Sequence, residues 1–388
     1  MAVPATTGSL KTSIHDMKIG DYIVASSHRE SSSSVPKLNT NMGNEHVLNS
    51  GSYEDVYSGT TTGSILFYYV KVAKGLLISD RVIYHTISWD LLNTNKLIQE
   101  LPWDNGNIIP IMTSNNSPSG VASASGEYVE PLNNSKVYRA WEAFHDNYTG
   151  WLSDTPGRGW LSYQFTKAEI VNGYKFKSSG SMYNLEQAPK SWTFEGFDGE
   201  NWVILDEQKD VTNWIEGEYK SFSFSNSTPY LTYRILVTEN QNTSRVVNIG
   251  HLEMYDTAGT IRSLTGGVAY VDENGNKSLT QVGDYGAWPT ETNEWDKYIV
   301  NFPEELIQEG KTLDDVFHWK KMFTWCQDTP INNAKYKSST GGSDQRVRRG
   351  YGDTLIGDGF DSPKRFGFGP SNQVTNDIGF RPVFEYKE

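Results

Sequence analysis

The stretch SWTFEGFDGENWVIL, residues 191–205, leaves the chain little freedom, because its side chains spell out a β-hairpin. Trp192 and Phe194 alternate with Thr193 and Glu195 at the period of a half-buried strand. Asp198-Gly199 supplies the positive backbone angles of a tight primed turn, and Trp202 to Leu205 return. The rest of the composition agrees: 12 Trp, 22 Tyr, 16 Phe and 35 Gly in 388 residues favour a mostly β architecture with minor α and aromatic-filled cores. At this length two or three domains are expected.

Charge and cysteine count exclude several classes. A formal charge of −13 argues against nucleic acid as a partner, since phosphate binding needs clustered Lys and Arg. The local exception, SDQRVRRGYG (343–352), holds Arg346, Arg348 and Arg349; a surface strand or turn with arginines tied to carbonyls or carboxylates accounts for it. The single cysteine, Cys326, forbids an intrachain disulfide, and its neighbours Trp319, Phe323 and Trp325 point to a buried, inert thiol among core aromatics. No run approaches the length of a membrane span, and the start lacks the pattern of a signal peptide, so neither membrane insertion nor classical secretion is expected. Residues 1–13 are small and polar, which suits an arm that orders on assembly.

Several segments between 107 and 257 then fall into a series. They are AFHDNYTGWLS (143–153), GWLSYQFTKAEIVNGYKFKS (159–178), the hairpin, YLTYRILVTE (230–239) and VVNIGHLEMYD (246–256). In YLTYRILV, Leu231, Tyr233, Ile235 and Val237 face a core while Thr232, Arg234, Leu236 and Thr238 face away. In order and spacing the series resembles a discoidin-type module, the galactose-binding-like β-sandwich (jelly roll) of coagulation-factor C-type domains and many carbohydrate-binding modules.

The flanks, 1–106 and 258–388, do not look complete separately. The first has strand-like runs at 19–29, 64–73 and 76–87, followed by SWDLLNTNKLIQE (88–100), a short helix with Ser88 as N-cap. The second opens with a hairpin around Asn274-Gly275 and ends in the strand IGFRPVFEYKE (378–388). AWPTETNEWDKYIVN (287–301) reads as a helix entry, with Thr290 or Thr292 as cap and Trp295, Tyr298 and Ile299 on one face. With RVRRG (346–350) and GFRPV (379–383), it resembles the C-type-lectin-like α+β fold in the variant shared with formylglycine-generating enzymes. There the first and last strands pair, so a sandwich at 107–257 would be an insert in a split scaffold. The ensemble DMKIGDYIVA, NEWDKYIVN, WCQDTP, RVRRG and GFRPVFEYKE resembles virion proteins of tailed phages and prophages of Gram-positive hosts, tail-tip or fibre components.

The discoidin resemblance implies a site in the loop 143–160. In such modules this loop wraps a calcium ion with carbonyls and a carboxylate, helped by a Glu near the final strand; Asp146, Thr149 and Glu253 are the matching positions. His145 stands where the family's Asp falls if register is kept from Ala143, so either Asp146 takes the role after a shift or the metal is absent. Loops at this end carry ligand recognition in the family. Tyr148, Trp151, Arg158 and Trp160 are suited to stacking on a sugar face and bonding its hydroxyls, with a core position as the other reading of Trp151.

Catalysis has little to stand on. The seven histidines are scattered, no hydrolase or nucleotide motif occurs, and one cysteine cannot supply the pair that formylglycine-generating enzymes use. The expectation is a non-enzymatic, oligomeric virion protein that binds a host cell-surface glycan and packs against other tail proteins. The alternatives are a purely structural component and, behind it, a hydrolase of cell-wall polymer.

Overall fold

The computed structural model describes residues 3–40, 42–43, 59–131, 137–145, 150–178, 185–289, 293–352 and 362–388. The chain divides into two units, Met1–Trp103 with Thr260–Tyr386 and Asp104–Gly259 with Lys387–Glu388. Both are mostly β.

The continuous unit is a β-sandwich. Its strands are β1 (Val121–Ala124), β2 (Trp151–Pro156), β3 (Gly159–Glu169), β4 (Gly173–Lys177), β5 (Pro189–Phe197), β6 (Trp202–Gln208), β7 (Lys220–Ser223), β8 (Tyr230–Asn240), β9 (Val246–Ile249) and β10 (His251–Tyr255). A five-stranded sheet in the order β6-β5-β8-β3-β1 faces a three-stranded sheet β7-β4-β10, and β2 pairs with β9. Alternation puts Trp192 and Phe194 of β5, Tyr233, Ile235 and Val237 of β8, and Tyr174 and Phe176 of β4 into one core. The sheets meet ring on ring, with Tyr174 stacked on Phe194 at 4.4 Å between centroids and Phe176 edge-on to Trp192 at 5.2 Å. The Tyr174 hydroxyl receives the Trp192 indole N–H at 2.7 Å and donates to Asp206 at 2.8 Å, which satisfies the polar atoms that these rings carry inward.

Two expectations for this unit are corrected. The hairpin turn is a four-residue loop, not a two-residue primed turn: Phe197 pairs with Trp202, only Gly199 takes a positive φ, and the Asp198 carboxylate accepts the N–H groups of Glu200 and Asn201. Leu231 is 40% exposed instead of core-facing, because the pairing of β8 with β3 shifts between Gln164 and Glu169, beside Tyr230.

The discontinuous unit has two sheets. One runs Leu10–Lys11, Tyr22–Arg29, Gly63–Ala73, Leu76–Ser79, Val383–Tyr386, Ala258–Arg262, Leu101–Asp104, with Lys37–Leu38 beside Tyr22–Arg29. The other runs Phe366–Pro370, Gln345–Gly350, Phe323–Trp325, Ile378–Phe380, Tyr84–His85. The last strand pairs with Leu76–Ser79, Ile78 opposite Val383, and not with the first strand as expected. Ser88 caps the helix Trp89–Thr94, its hydroxyl accepting the Leu91 N–H at 3.2 Å. Thr290 and Thr292, the expected caps of the second helix, lie outside the described residues. The helical turn Trp295–Val300 is π-type, and the Asn293 side chain accepts the Asp296 N–H. Trp319, Phe323 and Trp325 are buried as expected.

The sequence RVRRG is a central strand, not a surface one. Arg349 is fully buried and its guanidinium grips Asp296, itself 2% exposed, while donating to the carbonyls of Gly266, Lys364 and Arg365. Arg346 and Arg348, on the opposite face of the strand, lie over the rings of Trp89 and Phe323.

Cys326 is fully buried, and burial pushes its thiol well above the ordinary range. A small thiol reagent at neutral pH should therefore leave the native protein unmodified and label one equivalent once denaturant is added. Mass spectrometry reads this directly, and rapid native labelling would contradict the packing.

Candidate functional site

The turn from β2 into β3, Thr155-Pro156-Gly157-Arg158-Gly159-Trp160, lies at an end of the sandwich. Gly157 takes φ +77, and its N–H is held by the Arg245 carbonyl at 2.8 Å. Gly159 opens the ladder of β3 opposite Val237, and Trp160 follows directly opposite Leu236 of β8. Its backbone is clasped on both sides by Ser125: the Trp160 N–H donates to Ser125 Oγ at 3.1 Å, and the Ser125 N–H donates to the Trp160 carbonyl at 2.9 Å. Strand parity sends the neighbouring Leu161 into the core and leaves the Trp160 indole on the outer face.

The result is a cavity of about 390 Å³ lined by Ser125, Thr155, Arg158, Gly159, Trp160, Leu236, Val237 and Thr238. Arg158 is exposed, and its guanidinium has no hydrogen-bond or ion-pair partner among the described residues. Trp160 is half-buried, with no other aromatic ring against it among the described residues. Among the described residues the cavity thus offers an open indole edge and face, an unpaired planar cation and three hydroxyls within an apolar floor. The described residues that line it include no carboxylate.

The expected site residues fare differently. Arg158 and Trp160 are brought together in this cavity. Trp151 is fully buried and donates its indole N–H to the Gly126 carbonyl at 2.8 Å, so it has no face open to a ligand; the core reading is correct. Asp146, Tyr148 and Thr149 lie outside the described residues. His145 closes the helical turn Ala140–Phe144 and stands edge-on to Trp141.

Glu253 is already engaged on β10. It accepts the Tyr255 hydroxyl at 2.5 Å and has the Lys175 ammonium at 3.2 Å. Among the described residues no three His, Cys, Asp or Glu side chains converge in the manner of a metal site.

Ser125, Thr155, Leu236 and Thr238 were not singled out by sequence. Leu236 carried a signal, since it is the apolar member of the face of YLTYRILV that points away from the core.

Solved structures to which the chain is similar include three modules. One is the family 32 carbohydrate-binding module of Clostridium perfringens NanJ in complex with galactose, at 16% identity and TM-score 0.29, over 35% of this chain and 93% of that one. Another is the family 32 module of Streptococcus pneumoniae EndoD, at 15% identity and TM-score 0.30, over 37% and 100%. The third is an F5/8 type C domain from Bacteroides fragilis, at 17% identity and TM-score 0.27, over 36% and 96%. No protein-family model and no curated protein matches the chain.

Proposed function

We propose that this chain binds a carbohydrate at the cavity between Arg158 and Trp160, and that it does so as a host-attachment component of a phage particle. The observation that carries the first half is the pairing of a guanidinium and an indole, neither with a partner among the described residues, over hydroxyls of Ser125, Thr155 and Thr238. An indole packs on the C–H face of a sugar, and a guanidinium with neighbouring hydroxyls takes the ring's oxygens. The second half rests on the resemblance of 16–25, 293–301, 325–330, 346–350 and 379–388 to tail proteins, with a C-type-lectin-like scaffold as the mount. The cavity favours binding without hydrolysis, because glycoside hydrolysis needs two carboxylates about 5 to 10 Å apart and none lines the cavity among the described residues. Single-site affinity in the millimolar to micromolar range, about 4 to 8 kcal/mol, becomes useful when several copies act together.

The test is titration of the full-length protein against purified cell-wall polysaccharides of Gram-positive bacteria. Trp160→Ala should weaken binding roughly ten-fold, the worth of a ring contact, and Arg158→Ala by a comparable factor, with melting temperature unchanged in both. Absence of binding across the panel, or binding indifferent to both substitutions, would reject the proposal and favour a structural role in the particle.

A further inference from the structure

The outer face of the five-stranded sheet carries polar residues as alternation predicts, Ser162, Thr193 and Thr232 among them, but a diagonal row across it does not follow the rule. One step along β8 from Leu236, on the same face, Arg234 stands opposite Glu195 of β5, which stands opposite Ile204 of β6. One step further, Phe197 of β5 is opposite Trp202 of β6. Ile204 is 59% exposed, and Trp160, Leu236, Phe197 and Trp202 are each only half-buried. Polar-outside patterning therefore gives way to a row of apolar and aromatic groups.

The charges on this face are spent internally. Arg234 Nε meets Glu195 Oε2 at 2.6 Å, Thr193 donates to the same carboxylate, and the Trp202 ring covers the Arg234 guanidinium at 4.0 Å. Glu195 is left 4% exposed although it points away from the core. What remains for a ligand is a flattened, neutral surface with indoles at both ends. Three strand spacings of about 4.8 Å and four residues along the strand place Trp160 and Trp202 roughly 20 Å apart.

We infer that this face is a track for an extended polysaccharide chain, entered at the Arg158–Trp160 cavity and continuing over Leu236 and Arg234 to Trp202. The inference rests on the carbohydrate reading of that cavity and specifies its ligand as several linked sugars instead of one terminal sugar. Continuity with the cavity selects the occupant, because Leu236 belongs to both. An anionic polymer would need free cations along its whole length, whereas beyond Arg158 at the entrance the arginine on the track, Arg234, is already paired. Aromatic rings separated by locked polar groups suit a neutral chain that offers C–H faces and hydroxyls in turn.

The experiment is calorimetric titration of the full-length protein with size-fractionated fragments of whichever wall polysaccharide it binds, from single sugars to long oligomers. Affinity should rise at least ten-fold with length. Trp202→Ala should remove that rise and leave single-sugar binding untouched, Trp202→Phe should keep most of it, and Trp160→Ala should weaken every length. If Trp202→Ala fails to fold, Ile204→Arg, at an exposed position on the same face, should block only the long fragments. Equal affinity at all lengths, or a length dependence indifferent to Trp202 and Ile204, would overturn the track while leaving the cavity's role intact; no binding at any length would instead reject the cavity. A change in sedimentation with Trp202→Ala would mark the face as a contact between copies and also overturn it.

Discussion

Asp296→Ala is expected to destabilise the discontinuous unit by about 3–5 kcal/mol, the cost of leaving a buried charge without its partner. Asp296 is surrounded by donors. One carboxylate oxygen takes Arg349 Nη2, and the other takes the Ala287 N–H at 3.1 Å, Asn293 Nδ2 at 2.8 Å and Arg349 Nη1 at 3.2 Å. Removing it strands a guanidinium that is fully buried and cannot shed its proton at any useful pH. The reverse change should cost less. In Arg349→Met the methylene stem is replaced in kind, and a carboxylic acid left behind can take up a proton in place of its lost partner. Chemical denaturation followed by tryptophan fluorescence reports the difference, with Trp295 close by at 5.8 Å from the Arg349 guanidinium. A loss below about 1 kcal/mol for Asp296→Ala would mean that water reaches the pair and screens it.

That pair also shows where sequence reasoning runs out. Alternation alone located Trp192, Phe194, Tyr233, Ile235 and Val237 in a core, because a strand's period is intrinsic to its backbone. Ser88 was legible as a cap because the hydroxyl and the N–H that donates to it are three residues apart. Asp296 and Arg349 are 53 residues apart, and nothing local separates Arg349 from Arg346 and Arg348. Their different fates follow from strand parity once the strand is known to be central. Glu195 is a similar case. Read by itself it is a solvent-facing residue, and its burial needs Arg234 from β8 and Trp202 from β6. The turn at 198–201 was misjudged for a local reason: an aspartate side chain bonding two backbone N–H groups stabilises a longer loop as well as a primed turn would stabilise a short one.

The candidate site was half legible by the same logic. Arg158 and Trp160 stood out as a cation and an indole between glycines, and they do line one cavity. Of the remaining lining residues, Thr155 is local to the turn, whereas Ser125, at the end of β1, and Leu236 and Thr238, on β8, are distant in sequence and reach β3 through ladder pairing.

Trp151 and Trp160, nine residues apart and alike in sequence, should separate completely in experiment. Trp151→Ala is expected to cost about 3–5 kcal/mol in stability, the usual loss for truncating a core tryptophan. The indole is fully buried, it packs so closely against Gly159 that a Cβ there would lie 3.0 Å from the ring, and its departure leaves the Gly126 carbonyl without its donor. Trp151→Phe should recover much of the packing but not that hydrogen bond. Trp160→Ala should leave the unfolding curve in place, because among the described residues its ring touches no other ring and its backbone clasp to Ser125 needs no side chain from it. Urea titration of both variants beside glycan binding distinguishes the roles: stability lost at 151, affinity lost at 160. Were Trp151→Ala to keep full stability and lose glycan binding, the indole would have to leave the core to meet the ligand, and the cavity at Trp160 would no longer be the site.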